Sequence, residues 1–261
     1  MDTLTLLPSI TEAVRAAGTR LLDEYTPDAR PSGSEAIWKA LRHNDEAVLD
    51  VLRPALLDLR PQARWMDDEL ESGALPPGEW WVVDPAEGNI NHVHGLPDWC
   101  VTATLVQDNA PVLTVVHSPV ADRVHTAHVG HGARVDGVPL HVSGKADLAA
   151  AFVSTAQAAP GEDAGTLSRI SASVDAMLRA AMLVRVAVPA TVQLLAVAEG
   201  HTDAFWQHSP VISGLAAGAL LVSEAGGVVT DLTGRPWAPG STDFLAAAPG
   251  LHAAALTALT A

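Results

Sequence analysis

The chain is poor in the groups that tie proteins to structural metals, oxidising compartments, nucleic acid or lipid. It has one cysteine, Cys100, so no intramolecular disulfide can form, and neither a CxxC pair nor a Cys/His finger is available for structural zinc. Cys100 itself reads as a small buried apolar residue. Basic residues are scarce: 15 Lys and Arg against 30 Asp and Glu leave a formal net charge of -15. A surface of that sign repels a phosphate backbone or an anionic membrane, which argues against nucleic acid and membrane as partners. The N-terminus, MDTLTLLPSITEAVRAAG, lacks the basic n-region and unbroken apolar stretch of a secretory signal. No run approaches the ~20 apolar residues that a spanning helix needs. Together these absences predict a soluble, cytoplasmic protein.

What is present is ample apolar material, 48% of 261 residues, enough for a large core. Ile10, Val14, Leu21 and Leu22 recur at mixed three- and four-residue spacing and predict a helix. A second helix is expected from Ser34 to about Leu59, with Ser34 as its N-cap. From Trp80 the period shifts towards two. WWVVD, CVTATLV, PVLTVVHSP, DRVHTAHV and ARVDGVPLHV are short, rich in Val and Thr, and punctuated by Gly, Pro, Asp and Asn, which predicts an antiparallel sheet. After Ser143 strands and helices alternate: AFVST, MLVRVAV and TDAFW read as strands, while GTLSRISASVDAMLRAA, PATVQLLAVAEG and ISGLAAGALLVSEAGG read as helices. The expectation is an N-terminal α+β half over residues 1–145 and a C-terminal α/β half over 146–261, joined without a flexible linker into one compact unit.

A hydrophobic strand, Trp80 to Val83, runs into Asp84-Pro85-Ala86-Glu87-Gly88-Asn89-Ile90-Asn91-His92-Val93-His94-Gly95. This run is similar, without a gap, to the Asp-Pro-(Ile/Leu)-Asp-Gly-Thr-Thr-Asn-Phe-Val-His-Gly loop of the inositol monophosphatase family of magnesium-dependent phosphatases. PVLTVVHSPVADRVHTAHVGHGARVDGVPLHVS resembles that family's strand-turn pattern, and EAGGVVTDLTGRPW its Glu-Ala-Gly-Gly signature. The resemblance implies a layered αβαβα sandwich, an α+β half followed by an α/β half, and a homodimer. It also implies a reaction in which divalent cations neutralise a phosphate monoester and orient an attacking water.

Carried over position by position, the resemblance gives a mixed site. Asp84 stands at the bridging carboxylate, Ala86 offers its carbonyl, and Glu87 replaces the second aspartate with one extra methylene. Asn89 stands where a water-positioning threonine belongs, and Asp45 in RHND where the family has a helper aspartate. Asp68 and Glu69 in WMDDEL match the upstream acidic pair, with Glu71 as a competing register. A retained magnesium, one ion, would be held by Asp84, the Ala86 carbonyl, Glu87, Asp68 and Glu69. The family's third-motif aspartate, ten residues before the glutamate of Glu-Ala-Gly-Gly, falls on Gly214, which has no side chain. Gln207 replaces a substrate-contacting glutamate, and Val188-Pro189-Ala190 replaces a Gly-(Ser/Thr)-Ala loop, with Pro189 removing a backbone donor. Gly88 and His92 join Val188, Pro189, Ala190, Gln207 and Trp206 as candidate substrate contacts.

These changes leave three readings open: a phosphatase with a modified one-metal site, a non-catalytic ligand-binding relative, and an enzyme with different chemistry on the same scaffold. In the last, unneutralised carboxylates repel phosphate, favour an amine-bearing substrate, and push one another's protonation into a useful range. His208 is the added candidate for proton transfer. Among the other histidines, His94 has a counterpart in the family loop and His92 and His117 replace aromatics. His125, His128, His131 and His141 are expected on solvated hairpin faces. Trp65, Trp80 and Trp81 read as packing, and Trp99 and Trp206 as core residues with an alternative place at the pocket wall.

Overall fold

The computed structural model describes residues 3–67, 73–156, 161–209 and 211–261. Two long helices come first, α1 (Leu7–Glu24) and α2 (Ser34–Leu59). Their apolar stripes, Ile10, Val14, Ala17 and Leu21 on α1 and Val48, Leu52 and Leu56 on α2, are buried, as an amphipathic helix requires when it lies on a sheet. Ser34 does not cap α2. It is the first helical residue, Gly33 holds the capping position, and no side chain bonds the first turn.

The large sheet has seven strands in chain order: β1 (Arg64–Trp65), β2 (Glu79–Glu87), β3 (Cys100–Gln107), β4 (Ala110–Ser118), β5 (Arg123–His128), β6 (Ala133–Val135) and β7 (Val138–Pro139). All neighbours pair antiparallel except β1 with β2. A short helix, α3 (Asn89–Val93), follows β2 directly. The second sheet takes β8 (Phe152–Thr155), β9 (Leu183–Val186), β10 (Ala204–Gln207), β11 (Val228–Thr230) and β12 (Phe244–Ala247) in the order β11-β12-β10-β8-β9. Around it lie α4 (Ala164–Ala180), α5 (Ala190–Ala198), α6 (Ile212–Glu224) and α7 (His252–Thr260).

Strand alternation assigns the layers. Trp81, Val83, Val101, Ala103 and Leu105 on one face of the large sheet pack with α1 and α2. Val82, Cys100, Val106 and Val116 on the opposite face pack with α5 and α6. Phe205, Phe244 and Ala246 of the second sheet close on those same two helices, whereas Val153, Ala204, Trp206, Leu245 and Ala247 face α4 and α7. The order is therefore helix, sheet, helix, sheet, helix, which is the expected αβαβα sandwich. The central pair α5 and α6 is apolar all round because it is covered by a sheet on each side. Truncating a fully buried side chain in these layers, such as Leu52 or Leu113, would cost about 2–5 kcal/mol. Among the described residues, no helix is long and apolar enough to cross a membrane.

Two of the hairpin histidines depart from the expected solvated faces. His125 is 2% exposed and His128 is 8% exposed. His125 Nε2 lies 2.6 Å from Glu199 Oε1, and His128 Nε2 lies 2.8 Å from Thr3 Oγ1. Burial here follows partner availability, since a ring with a carboxylate or hydroxyl to meet can leave water.

Candidate active site

The site forms where β2 ends. The register of β2 against β3 shifts between Asp84 and Glu87, a bulge of the kind that re-aims side chains beside a functional site. It brings the nearly buried carboxylates of Asp84 and Glu87 to the wall of a cavity of about 430 Å³. Gly88 then turns the chain into α3 with φ +84°, and a Cβ there would come within 2.8 Å of the Asp98 carbonyl and of Pro189 Cγ. Only glycine serves at that turn. Asp84 Oδ1 accepts from the Ala86 N–H at 3.1 Å.

One face of α2 forms a second wall. Trp38, Leu41, Arg42 and Asp45 recur at three- and four-residue spacing and all line the cavity. The Asp45 carboxylate is set by a chain of amides. Asn89 Nδ2 donates to Asp45 Oδ1 at 2.8 Å and to the Leu41 carbonyl at 3.0 Å. Asn44 Nδ2 donates to Asn89 Oδ1 at 2.7 Å and lies 3.0 Å from His92 Nδ1. His92 Nε2 meets the Leu21 carbonyl at 3.0 Å, and because a carbonyl only accepts, Nε2 carries the proton and Nδ1 receives from Asn44. Burial raises the Asp45 carboxyl to about 6 against the opposing pull of the Asn89 hydrogen bond. Asn89 therefore acts on Asp45 as a donor. An amide has no proton to pass on, so it orients the carboxyl without relaying a proton from water.

Glu87 is engaged differently from its neighbour. Its Oε1 accepts from the Thr191 N–H at 2.9 Å, capping the first turn of α5, where Pro189 supplies no N–H and no side-chain cap. Thr191 Oγ1 in turn donates to the Gly214 carbonyl at 2.9 Å. A Cβ added at Gly214 would lie 3.3 Å from Glu87 Oε1 and 3.5 Å from Oε2. The longer glutamate thus fills the space that a side chain at 214 would need.

The far wall comes from the second sheet and its loops. Val188, Pro189 and Ala190 line the cavity, as does Gln207 at the end of β10. Gln207 is 7% exposed; its Nε2 donates to the Ser209 carbonyl, and its Oε1 has no hydrogen-bond partner among the described residues.

Of the residues expected from sequence, the structure brings together Asp45, Asp84, Ala86, Glu87, Gly88, Asn89, Val188, Pro189, Ala190 and Gln207. Asp68, Glu69 and Glu71 lie outside the described residues. Trp206 does not reach the cavity. Next to Gln207 on one strand, it points to the opposite face, where its Nε1 donates to Ser173 Oγ at 2.9 Å. His208 is not part of the lining either; burial holds its imidazole below the usual value. His92 stands behind Asn44, with its ring against Tyr25 and Trp99, so it supports the wall without facing the cavity. Trp99 belongs to that same aromatic cluster, tilted against Tyr25 at 5.4 Å. Sequence reasoning missed Trp38, Leu41, Arg42 and Thr191. The first three were recoverable by stepping back from Asp45 in helical spacing, whereas nothing local marks Thr191.

For magnesium, the described donors are Asp84, the Ala86 carbonyl and Glu87. Among the described residues no group of three His, Cys, Asp or Glu side chains is placed to hold a metal ion. Glu87 also has one oxygen committed to Thr191. The described residues do not fit a two-metal arrangement.

Residues 5–261 match the model of the inositol monophosphatase family. The human protein called inositol monophosphatase 2 is 31% identical over 225 residues, 84% of this chain and 78% of its own length. A protein of Neisseria meningitidis serogroup B called putative Nus factor SuhB is 28% identical over 95% of this chain and 92% of its own. Among solved structures, the inositol monophosphatase from Anabaena superposes with a TM-score of 0.81 at 24% identity, covering 100% of this chain and 97% of that one. The SuhB protein of Bartonella henselae gives 0.80 at 23% identity, covering 98% of both chains.

Proposed function

This chain belongs to the inositol monophosphatase family, and on that scaffold we propose that it is a small-molecule enzyme in which the two-metal phosphatase centre has given way to an acid–base pocket for a polar, amine-bearing substrate. The observation that carries the reading is the placement of Glu87. Its carboxylate occupies the space beside Gly214 and anchors the N-terminus of α5 through Thr191, which makes it a structural anion at the position of a metal ligand.

Asp45 is the group suited to proton transfer. Asn89 holds one carboxyl oxygen, leaving the other for substrate, and a carboxyl near 6 is protonated or ionised with little driving force at neutral pH. Asp84 and Glu87 supply negative charge at the cavity wall. They attract an ammonium group and repel a phosphate, and the apolar walls of Ile90, Val188 and Val211 strengthen both effects by thinning the water. The catalytic assignment is Asp45 as acid–base, Asn89 as its orienting donor, and Asp84 as the carboxylate facing the bound amine.

A homodimer belongs to the same reading, supported by exposed Leu178 of α4, Met182 between α4 and β9, and Leu183 and Val186 of the edge strand β9. The net charge of -15 supports small molecules over nucleic acid as partners, and the lone buried Cys100 is compatible with a cytoplasmic setting.

The test is calorimetric titration of the protein with Mg²⁺ and Mn²⁺, together with phosphate release from a panel of sugar and inositol phosphates. The expected result is no tight binding of two ions and no turnover. Tight two-metal binding with phosphate release would overturn the reading in favour of an ordinary phosphomonoesterase. The combined Gly214→Asp, Glu87→Asp and Asn89→Thr variant should gain metal affinity over the parent.

A further inference from the structure

We propose that His92 is a positioning residue for Asp45: acting through Asn44 and Asn89, it sets which end of each amide faces its neighbour, so that proton uptake at His92 and at Asp45 is linked. The linkage rests on geometry. Its catalytic meaning rests on the acid–base reading above, in which Asp45 exchanges the proton.

The relay starts and finishes on backbone carbonyls, which only accept. At one end the Leu21 carbonyl meets His92 Nε2 at 3.0 Å, so Nε2 holds the proton and Nδ1 presents its lone pair. At the other end Asn89 Nδ2 meets the Leu41 carbonyl at 3.0 Å and Asp45 Oδ1 at 2.8 Å. Between them a single nitrogen, Asn44 Nδ2, stands 3.0 Å from His92 Nδ1 and 2.7 Å from Asn89 Oδ1, and its two protons serve both. Asn44 and His92 are each 3% exposed, so a lost partner is costly to replace.

A proton on Nδ1 breaks this sense. Nδ1–H would point at the Asn44 amino group, donor against donor, and relief requires Asn44 to turn its oxygen to the ring. Asn89 Oδ1 then loses its donor. Turning Asn89 in response sets its oxygen against Asp45, which tolerates that only by carrying a proton itself. The charged ring and the ionised carboxylate therefore exclude one another through the relay, and each proton favours the other. Direct attraction has the opposite sign, because a negative Asp45 would draw positive charge onto the ring.

The surrounding charges set the resting state. On α1, Glu24 favours the charged ring but is engaged by Arg20 and His43, and burial holds the imidazole below its ordinary value, so Nδ1 is bare at neutral pH. Tyr25 and Trp99 pack on the ring. Glu46 of α2 acts on Asp45 as a like charge, and Arg42, Asp84 and Glu87 line the same cavity.

The experiment follows the His92 ring nitrogens of the full chain by ¹⁵N NMR in EDTA, both at neutral pH and through an acid titration. The parent should show a protonated Nε2 and a bare Nδ1. Asp45→Asn should raise the proton affinity of His92 by about twofold or more, the lower end of coupling within one hydrogen-bond network. At neutral pH it should also move the Nδ1 resonance towards that of a nitrogen without a donor, which decides the matter if the ring stays neutral until the protein unfolds. Asn89→Ala cuts the relay at a half-buried position and should cancel both responses to Asp45→Asn. A fall in His92 proton affinity on Asp45→Asn, indifference of Nδ1 to residue 45 in both readings, or the same response in the Asn89→Ala background would each overturn the proposal. Failure of the acid–base reading shows separately, as Mg²⁺-dependent phosphate release by the same preparation, and leaves the linkage measured in EDTA as it stands.

Discussion

The contact between Glu87 and Gly214 sets up a double-mutant cycle with a signed outcome. Gly214 is the third residue of α6. Replacing it with alanine gains about 1 kcal/mol of helix propensity. It also puts a Cβ 3.3 Å from Glu87 Oε1, the atom that receives the Thr191 N–H, and loosens a charge-assisted bond worth about 1.5–3 kcal/mol. The two nearly cancel, so Gly214→Ala should change stability by no more than about 1 kcal/mol. Gly214→Asp is different, because it brings a second carboxylate to roughly 4 Å from the first. At an effective dielectric of about 20 that repulsion is about 4 kcal/mol, reduced by up to about 1 kcal/mol through the N-terminal position in the helix. A net loss near 3 kcal/mol is expected at neutral pH.

Glu87→Asp alone shortens the reach to Thr191 and should cost about 1–2 kcal/mol. If the two positions share one space, the double variant loses much less than the sum, with a favourable coupling of at least about 2 kcal/mol. Urea denaturation of the four proteins in EDTA measures it. Additivity within about 0.5 kcal/mol, or a Gly214→Asp variant as stable as the parent, would refute the argument that Glu87 occupies the place of a side chain at 214.

Three further outcomes follow from the same structure. Asp45 titrates near 6 when folded and near its ordinary 3.8 when unfolded, so between those values the unfolded chain binds fewer protons and stability falls as pH rises. Asp45→Asn should abolish that slope and raise stability above pH 6 by about 1–2 kcal/mol, discounted because the carboxyl is partly solvated; an unchanged slope in denaturation curves from pH 4 to 7 would contradict it. His92→Phe restores the family aromatic but strands an Asn44 N–H and the Leu21 carbonyl, at a cost of about 1–3 kcal/mol by chemical denaturation, and a neutral result would remove His92 from the support of Asn89. Cys100 is fully buried and its thiol is pushed well above the ordinary value by burial, then by Glu87 and Asp84. It should resist a thiol reagent in the native protein and react stoichiometrically in denaturant.

The layering was legible because each strand and helix carries its own period. In WWVVD and CVTATLV alternate residues serve opposite faces, and the apolar run of ISGLAAGALLVSEAGG is long enough only for a helix buried on both sides. The loop from Asp84 to Gly95 was legible as a unit because its spacing is local. Trp206 shows where the same kind of reading falls short. Of its two expected places, core or pocket wall, it takes the core, because it is next to the pocket residue Gln207 on one strand and adjacent strand residues point to opposite sides. His131 and His141 are exposed as expected, whereas His125 and His128 depart for another reason: Glu199, which receives His125, is 74 residues away, and no local pattern reports such a partner.

By itself the sequence determined the family, the order of the elements, the acidic character of the chain and the identity of the altered positions, since each is a property of single residues or short spacings. It also showed that Gly214 has no ligand to offer. What only the tertiary structure decided is where the Glu87 carboxylate goes once that side chain is missing. The extra methylene can be spent towards a metal or towards a helix end, and the choice belongs to Thr191, 104 residues away, whose N–H stands 2.9 Å from Oε1 because α5 and the end of β2 pack together. Long-range packing brings donor and acceptor into contact, and composition or spacing along the chain carries no record of it.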